Sequence, residues 1–252
     1  MKKIAICISG HLRTYKRALS NFIEFLHAPL RQIGDVDIFL STCPIKSSND
    51  TWQGQLGNKQ DDSIIDINEA IKTYGAIATF IEDQQQTKNL FQTTNFIDEV
   101  PPICDPRRHS NGKLNFIPMW YGVNQCNELK KQKENSEKFV YDLVIKTRPD
   151  LLYPYSIDIN RILSNLENTL WVGKEAYFTE GSQYQYENGW NIRDMFAMGN
   201  SEIMDKYSSL YSHLEILLKN NYTEVPERIL WEHLQNFHFN IKAIYEDTPV
   251  LR

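Results

Sequence analysis

The chain has 252 residues, 41% of them hydrophobic, and a formal net charge of −5 at pH 7. This length provides enough apolar surface for a substantial core and fits one large domain or two small ones. The excess of acidic residues disfavours a general nucleic-acid-binding protein, whose domain is usually basic, so we expect no nucleic-acid partner. A local basic pocket remains compatible with this charge.

The cysteines and the apolar runs indicate a cytoplasmic protein. Four cysteines lie far apart, with no CxxC or Cys/His ligand spacing, which favours reduced thiols in a reducing compartment: Cys7, Cys43, Cys104 and Cys126. The first apolar run is too short for a signal peptide, and no stretch approaches the roughly 20 apolar residues of a membrane helix. Amphipathic C-terminal helices leave a peripheral membrane association open, although core packing explains the same pattern.

Apolar periodicity predicts strands that alternate with helices in the first part of the chain. Strands are expected over residues 3–9, 36–42, 76–81 and 140–147. Helices are expected after the first strand, from Asp66 to Gly75, and from Pro118 to about Glu134. Asp66 and Glu69 fit a capping box, and Gly75 fits a helix stop. The alternation indicates an α/β fold with a mainly parallel sheet.

The second part of the chain is more irregular. Short strands are predicted over residues 170–172 and 195–198, then one long amphipathic helix from Ile203 to Leu217. Another helix opens at Pro226, and a final strand covers residues 239–245. The polar segments 44–62 and 82–115 are longer than ordinary loops and are typical of lids, binding loops or disordered segments.

The segment 141–153 is the most informative part of the sequence. An apolar run at residues 143–145 predicts a strand buried on both faces, and Lys146, Arg148 and Asp150 follow it. Pro149 marks the end of the pairing. Ligands of open α/β sheets bind at the carboxyl ends of strands, and a carboxylate beside two cations suits a divalent metal and a phosphorylated ligand. The alternative is a surface salt-bridge cluster.

The turn after the first strand is a second candidate for ligand contacts. Ser9, Gly10, His11 and Arg13 follow or end that strand; the glycine allows close backbone approach, and the arginine can reach a phosphate. An ordinary strand–helix turn explains the same residues. GxGxxG, GxxxxGK[ST], GxSxG and HExxH are all absent from the sequence, which disfavours dinucleotide, P-loop, serine-hydrolase and zinc-protease classes.

Aromatic residues cluster between residues 177 and 194. Tyr184, Tyr186 and Trp190 lie there among carboxylates and amides, a composition that suits sugar recognition through ring stacking and hydroxyl hydrogen bonds. The alternative is that these aromatics anchor an irregular segment to the core.

Several of these segments, in order along the chain, resemble bacterial and viral glycosyltransferases that build capsular or surface polysaccharides. The matching segments are residues 3–14, 36–42, 119–122, 141–151 and 194–199. The resemblance implies a GT-A fold, a Rossmann-like α/β sandwich with helices on both faces of the sheet. The sequence shows no internal repeat and no linker, so we expect a single domain over residues 1–252; the resemblance divides it into a nucleotide-sugar-binding half (1–153) and an irregular acceptor half (154–252).

In that family an Asp-x-Asp motif holds a divalent metal on the sugar-nucleotide diphosphate. Here the matching position reads Arg148-Pro149-Asp150, so one carboxylate is missing. Either Asp150 alone binds Mn²⁺ or Mg²⁺, or Arg148 and Lys146 take over part of the neutralising role.

The resemblance also implies roles for residues already singled out. Six residues would bind the donor, namely Ser9, Gly10, His11, Arg13, Lys146 and Arg148. Asp194 is the first candidate for a catalytic base in an inverting reaction, and Glu227 is the second. Tyr184, Tyr186 and Trp190 would contact the acceptor.

The function expected on this basis is transfer of a sugar from a nucleotide-diphosphate donor to a glycan or lipid-linked acceptor. The pathway would be the synthesis of surface polysaccharide or glycoconjugate. Two alternatives are a sugar nucleotidyltransferase and a non-catalytic nucleotide- or carbohydrate-binding module of a polysaccharide assembly complex. The missing carboxylate is the best support for the module.

Overall fold

The computed structural model describes residues 1–44, 65–83, 116–174, 192–221 and 226–245. These ranges contain seven strands and eight α-helices, with a π-helical turn (Ile23–His27) between the first two helices. In chain order the elements are β1 (Lys2–Ser9), α1 (Tyr15–Phe22), α2 (Ala28–Arg31), β2 (Gly34–Thr42), α3 (Ile67–Tyr74), β3 (Ala78–Ile81), α4 (Phe116–Glu137), β4 (Leu143–Thr147), α5 (Ile159–Leu163), β5 (Thr169–Lys174), β6 (Ile192–Gly199), α6 (Ser201–Ser208), α7 (Leu210–Asn221), α8 (Pro226–Leu234) and β7 (Asn240–Tyr245).

All seven strands belong to one sheet, in the order β3-β2-β1-β4-β6-β5-β7. Four of the strand pairs are parallel, and β6 runs antiparallel to both of its neighbours. The chain moves outward from β1 through β2 to β3, then returns to place β4 on the other side of β1. The sheet therefore has a topological switch point between β1 and β4, where α/β folds bind ligands.

The two faces of the sheet are covered by different helices. In β1, Ile4, Ile6 and Ile8 pack in one core cluster with residues of α1, α2, α3 and α5. The intervening Ala5 and Cys7 pack in the other cluster with residues of α4, α6, α7 and α8. This alternation follows from the two-residue period of a strand. The predicted α/β class with helices on both faces is confirmed and agrees with a Rossmann-like GT-A fold.

The end signals predicted for α3 are confirmed. The Asp66 side chain caps the helix by accepting a hydrogen bond from the Glu69 N–H at 3.2 Å. Gly75 ends the helix in the left-handed conformation, with φ +69°. Glycine suits this position because it has no Cβ to clash there.

Two element predictions in the second half need correction, and one helix was missed. The predicted helix from Ile203 to Leu217 is two helices, because Ser209 caps α6 with ψ near zero and α7 starts afresh. The strand predicted over residues 195–198 extends over Ile192–Gly199, so Asp194 lies inside β6 rather than before it. The short helix α5 was not predicted, although its Asp158 N-cap is a recognisable signal.

No helix in the described ranges is long and apolar enough to cross a membrane. Cys7, Cys43 and Cys126 are buried and take part in no disulfide within these ranges. Cys104 lies outside the described residues.

Candidate functional site

The carboxyl ends of β1, β2 and β4 meet at the switch point. The Gly10 N–H donates to the Ser41 carbonyl at 3.0 Å, and the Thr42 hydroxyl donates to the Gly10 carbonyl at 2.8 Å. Gly10 has φ +133°, and a Cβ at this position would lie 3.5 Å from the Pro149 ring. The turn after β1 thus lies directly against the end of β4, as the shared sheet edge predicts.

The segment after β4 is held by side chains from other elements. The Asn21 amide pairs with the backbone of Tyr153, accepting from its N–H at 2.7 Å and donating to its carbonyl at 3.0 Å. The Tyr153 hydroxyl lies 2.6 Å from the Thr147 hydroxyl, and the Tyr74 hydroxyl donates to the Pro149 carbonyl at 3.5 Å. These contacts fix both ends of the turn that carries Arg148 and Asp150.

Asp150 binds two arginines. Arg148 donates from Nε to Oδ1 at 2.9 Å and from Nη2 to Oδ2 at 2.8 Å, and Arg13 donates from Nη2 to Oδ2 at 3.0 Å. The Asp150 side chain is 1% exposed, whereas those of Arg13 and Arg148 are 14% and 22% exposed. Burial alone would raise the pKa of Asp150, but the two guanidinium groups outweigh it and lower the pKa below its usual range. Asp150 is therefore an ionised carboxylate that lies behind two partly exposed cations.

Lys146 and Asp194 form the other half of the cluster. Lys146 lies opposite Ala197 in the antiparallel pair of β4 and β6, so the residues of β6 that precede Ala197 run past the end of β4. The Lys146 ammonium donates to the backbone carbonyl of Asp194, and the Tyr207 hydroxyl donates to the same carbonyl at 3.3 Å. Burial lowers the pKa of Lys146 to about 8, although Asp194 opposes this shift. Lys146 is still mostly protonated at neutral pH.

The predicted donor residues lie together at this edge. Ser9 is buried at the end of β1. The Nδ1 of His11 lies 3.2 Å from the Cys43 sulfur, which follows β2. With Arg13, Lys146 and Arg148, these residues surround the carboxyl ends of β1, β2 and β4. Ion pairing of Arg13 and Arg148 with Asp150 agrees with the salt-bridge interpretation of residues 146–150, but the cluster is at the switch point rather than on an outer surface.

Among the remaining predicted residues, only Glu227 is described. Glu227 lies in the first turn of α8, a helix that packs against β6, and its catalytic role stays a prediction. Tyr184, Tyr186 and Trp190 lie outside the described residues. Sequence reasoning missed the supporting contacts of Asn21, Thr42 and Tyr153. Thr42 carried a signal, since it ends a predicted strand at the ligand-binding edge, but Asn21 in the middle of a helix carried none.

The described residues do not fit a divalent metal at Asp150. The described ranges contain no group of three His, Cys, Asp or Glu side chains that could hold a metal, so Asp150 would have to bind Mn²⁺ or Mg²⁺ together with ligand phosphates and water. Both oxygens of Asp150 already accept hydrogen bonds from guanidinium groups. The prediction of a Mn²⁺ or Mg²⁺ ligand at this residue stays a prediction.

No protein-family model matches the sequence, and a comparison with curated proteins finds no match. Among solved structures, the chain is similar to the galactosyltransferase LgtC in complex with donor and acceptor sugar analogues. The superposition has a TM-score of 0.48 at 10% sequence identity and covers 95% of this chain and 72% of that one. We draw no functional conclusion from a likeness at this level.

Proposed function

We propose that this protein is a glycosyltransferase that moves a sugar from a nucleotide-diphosphate donor to a glycan or lipid-linked acceptor. The observation that carries the proposal is the grouping of three cations at the switch point of the sheet, with the buried residue Asp194 next to one of them. The cations are Arg13, Lys146 and Arg148. Such a group suits a reaction in which negative charge develops on a leaving diphosphate.

The arginine side chains would bind the donor diphosphate. Guanidinium groups recognise phosphate oxygens through paired, charge-assisted hydrogen bonds. Arg13 and Arg148 retain exposed surface, so a ligand that enters from solvent reaches them first. Ser9, Gly10 and His11 would line the nucleotide side of the pocket, where the glycine allows close backbone approach.

Asp194 is the proposed catalytic base for direct inversion. An acceptor hydroxyl would attack the anomeric carbon of the donor sugar and form the new C–O bond. The bond from that carbon to the diphosphate oxygen would break, and its electron pair would leave with the diphosphate. The hydroxyl proton would pass to the Asp194 carboxylate. Glu227 is the second candidate, and Tyr184, Tyr186 and Trp190 are the proposed acceptor contacts.

We further propose that the protein acts in the cytoplasm, in surface polysaccharide or glycoconjugate synthesis. Buried, unpaired thiols at Cys7 and Cys126 support a reducing compartment. A lipid-linked acceptor would bring the protein to a membrane surface only peripherally.

Thermal unfolding against UDP-, GDP-, CMP- and dTDP-sugars, each with and without Mn²⁺, tests donor binding. A donor at about 100 times its dissociation constant adds roughly 2.7 kcal/mol of stability, which is a readily measured shift. We expect a shift with one nucleotide family, together with slow hydrolysis of that donor. A shift without any hydrolysis or transfer would instead support the binding module, and no shift with any donor would contradict the proposal.

The Asp194→Asn variant tests the base. We expect it to keep the donor-induced shift and to lose transfer by a factor of about 10² or more. The matched control is Asp35→Asn, which removes a half-exposed carboxylate from the amino-terminal part of β2, at the opposite edge of the sheet. A normal transfer rate in Asp194→Asn would show that another residue takes the proton.

A further inference from the structure

The order of burial around Asp150 differs from that expected for a metal ligand. The carboxylate is 1% exposed, and both guanidinium groups bound to it are more exposed than it is. A metal ion arriving from solvent would meet Arg13 and Arg148 before it met Asp150. Because like charges repel strongly in a partly dehydrated site, this arrangement opposes binding of a cation.

The same arrangement favours an anion. Lys146 and the two arginines contribute three positive charges, against the two carboxylates of Asp150 and Asp194. Asp150 engages only some of the N–H groups of each guanidinium, so others remain to bind phosphate oxygens. The Nε–H of Arg13 is buried and has no hydrogen-bond partner in the described part of the chain. An unsatisfied buried donor is costly unless a ligand or water completes it.

We infer that Asp150 is a positioning residue, which orients Arg13 and Arg148 to bind the donor diphosphate without a divalent metal. This inference rests on the proposed function and specifies which side chains neutralise the negative charge of the donor diphosphate. Arginine side chains lose considerable rotamer freedom when they bind a ligand. The two-point contact between Arg148 and Asp150 fixes one guanidinium plane before the ligand arrives, and the shared oxygen Oδ2 sets the second arginine beside it.

The first test uses the wild-type protein and needs no variant. Nucleoside diphosphates (UDP, GDP, CDP, ADP and dTDP) and inorganic pyrophosphate are titrated calorimetrically in EDTA and in Mn²⁺. We expect one nucleoside diphosphate to bind with dissociation constants that agree within about threefold in the two buffers. Binding that requires Mn²⁺ would overturn the inference and leave the proposed function standing. Absence of binding in both buffers would overturn the proposed function and the inference with it.

Arginine variants test which cations hold the diphosphate. We expect Arg13→Ala and Arg148→Ala to weaken binding in EDTA by about tenfold or more. Arg148→Lys should fall between Arg148→Ala and wild type, because lysine keeps the charge but loses the fork. The control is Arg31→Ala, an exposed arginine in the last turn of α2, which leads into the amino end of β2 at the opposite edge of the sheet. Unchanged binding in both alanine variants of the cluster would refute the inference.

The Asp150→Asn variant separates positioning from metal binding. Asparagine removes one negative charge from the site and holds both guanidinium groups less firmly. We therefore expect metal-free diphosphate affinity to fall, by less than in the arginine-to-alanine variants because the lost negative charge offsets part of the effect, together with a lower kcat in the absence of metal. A purely structural role would change the circular dichroism and the unfolding transition instead. If Asp150→Asn removed a Mn²⁺-dependent gain in affinity and nothing else, Asp150 would be a metal ligand and the inference would be wrong.

Discussion

Replacing Lys130 by methionine should lower the free energy of unfolding by about 3 kcal/mol. The Lys130 side chain is fully buried in α4 and pairs with Glu134 at 3.0 Å and with Asp205 of α6 at 2.9 Å. It also donates a hydrogen bond to the Ser201 hydroxyl, and that hydroxyl donates to Glu134 at 2.7 Å. The cluster joins α4 to α6 on one face of the sheet.

The magnitude follows from what the substitution leaves behind. Methionine fills most of the space of lysine, so packing is largely kept. The main change is that the cation between the carboxylates of Glu134 and Asp205 is lost. Breaking a buried pair from one side typically costs about 3–5 kcal/mol. The lower end applies because the Asp205 side chain is 35% exposed and can be hydrated, and because Glu134 still accepts from the Tyr141 N–H at 2.9 Å.

Denaturation in urea at pH 7, followed by circular dichroism, measures this loss. For a chain of this size a change of 3 kcal/mol also corresponds to a fall of roughly 6–12 °C in Tm. Lys131→Met is the matched control, since Lys131 is the next residue of α4, is 40% exposed and pairs with Glu128 at the surface. It should cost less than about 1 kcal/mol. Equal losses in the two variants would refute the reasoning that the buried network stabilises the fold.

Three further predictions concern pH and the backbone of the site. Burial lowers the pKa of His233 to about 4, so between pH 6.5 and 4 the unfolded state binds a proton that the folded state excludes. The contribution of His233 to the free energy of unfolding is therefore fully present above pH 6.5 and falls by up to about 3 kcal/mol towards pH 4. His233→Gln should remove this contribution to the pH dependence, as measured by urea denaturation at several pH values. Gly10→Ala should lower the free energy of unfolding by about 1–3 kcal/mol and weaken donor binding, because φ is +133° at this position. The control Gly122→Ala in α4 should change the free energy of unfolding by less than about 1 kcal/mol, since its Cβ would lie 3.4 Å from the Ser41 hydroxyl. Denaturation and ligand titration of both variants check this. Asn21→Ala should lower the free energy of unfolding by about 1–3 kcal/mol and should also lower the rate of transfer, because the turn after β4 loses both amide contacts to Tyr153. A normal kcat in a destabilised variant would contradict the predicted loss of transfer.

Much of the fold was predictable because its signals are local. The apolar run of β1, the Asp66 cap and the Gly75 stop each depend on residues within one turn or one strand, and all are found as predicted. The long helix of the second half was not predicted correctly, since apolar spacing continues across Ser209 while the backbone does not. Helical periodicity alone cannot detect such a break when the residues on both sides still face the same core.

The meeting of the charged residues at one sheet edge was predictable, and their pairings were not. Position relative to strand ends placed Arg13 and Asp150 at the same sheet edge, because parallel strands end together. Their hydrogen bond joins residues 137 positions apart, and its direction depends on side-chain geometry that no local pattern encodes. That single contact changes the chemistry expected of Asp150. The residues next to Asp150 in the sequence suggest a metal ligand. Its burial behind two guanidinium groups suggests instead that it holds cations that would bind an anion. Binding of nucleoside diphosphate with and without Mn²⁺ therefore tests the long-range contact itself, since only the arrangement around Arg13 and Arg148 predicts the same affinity in both conditions.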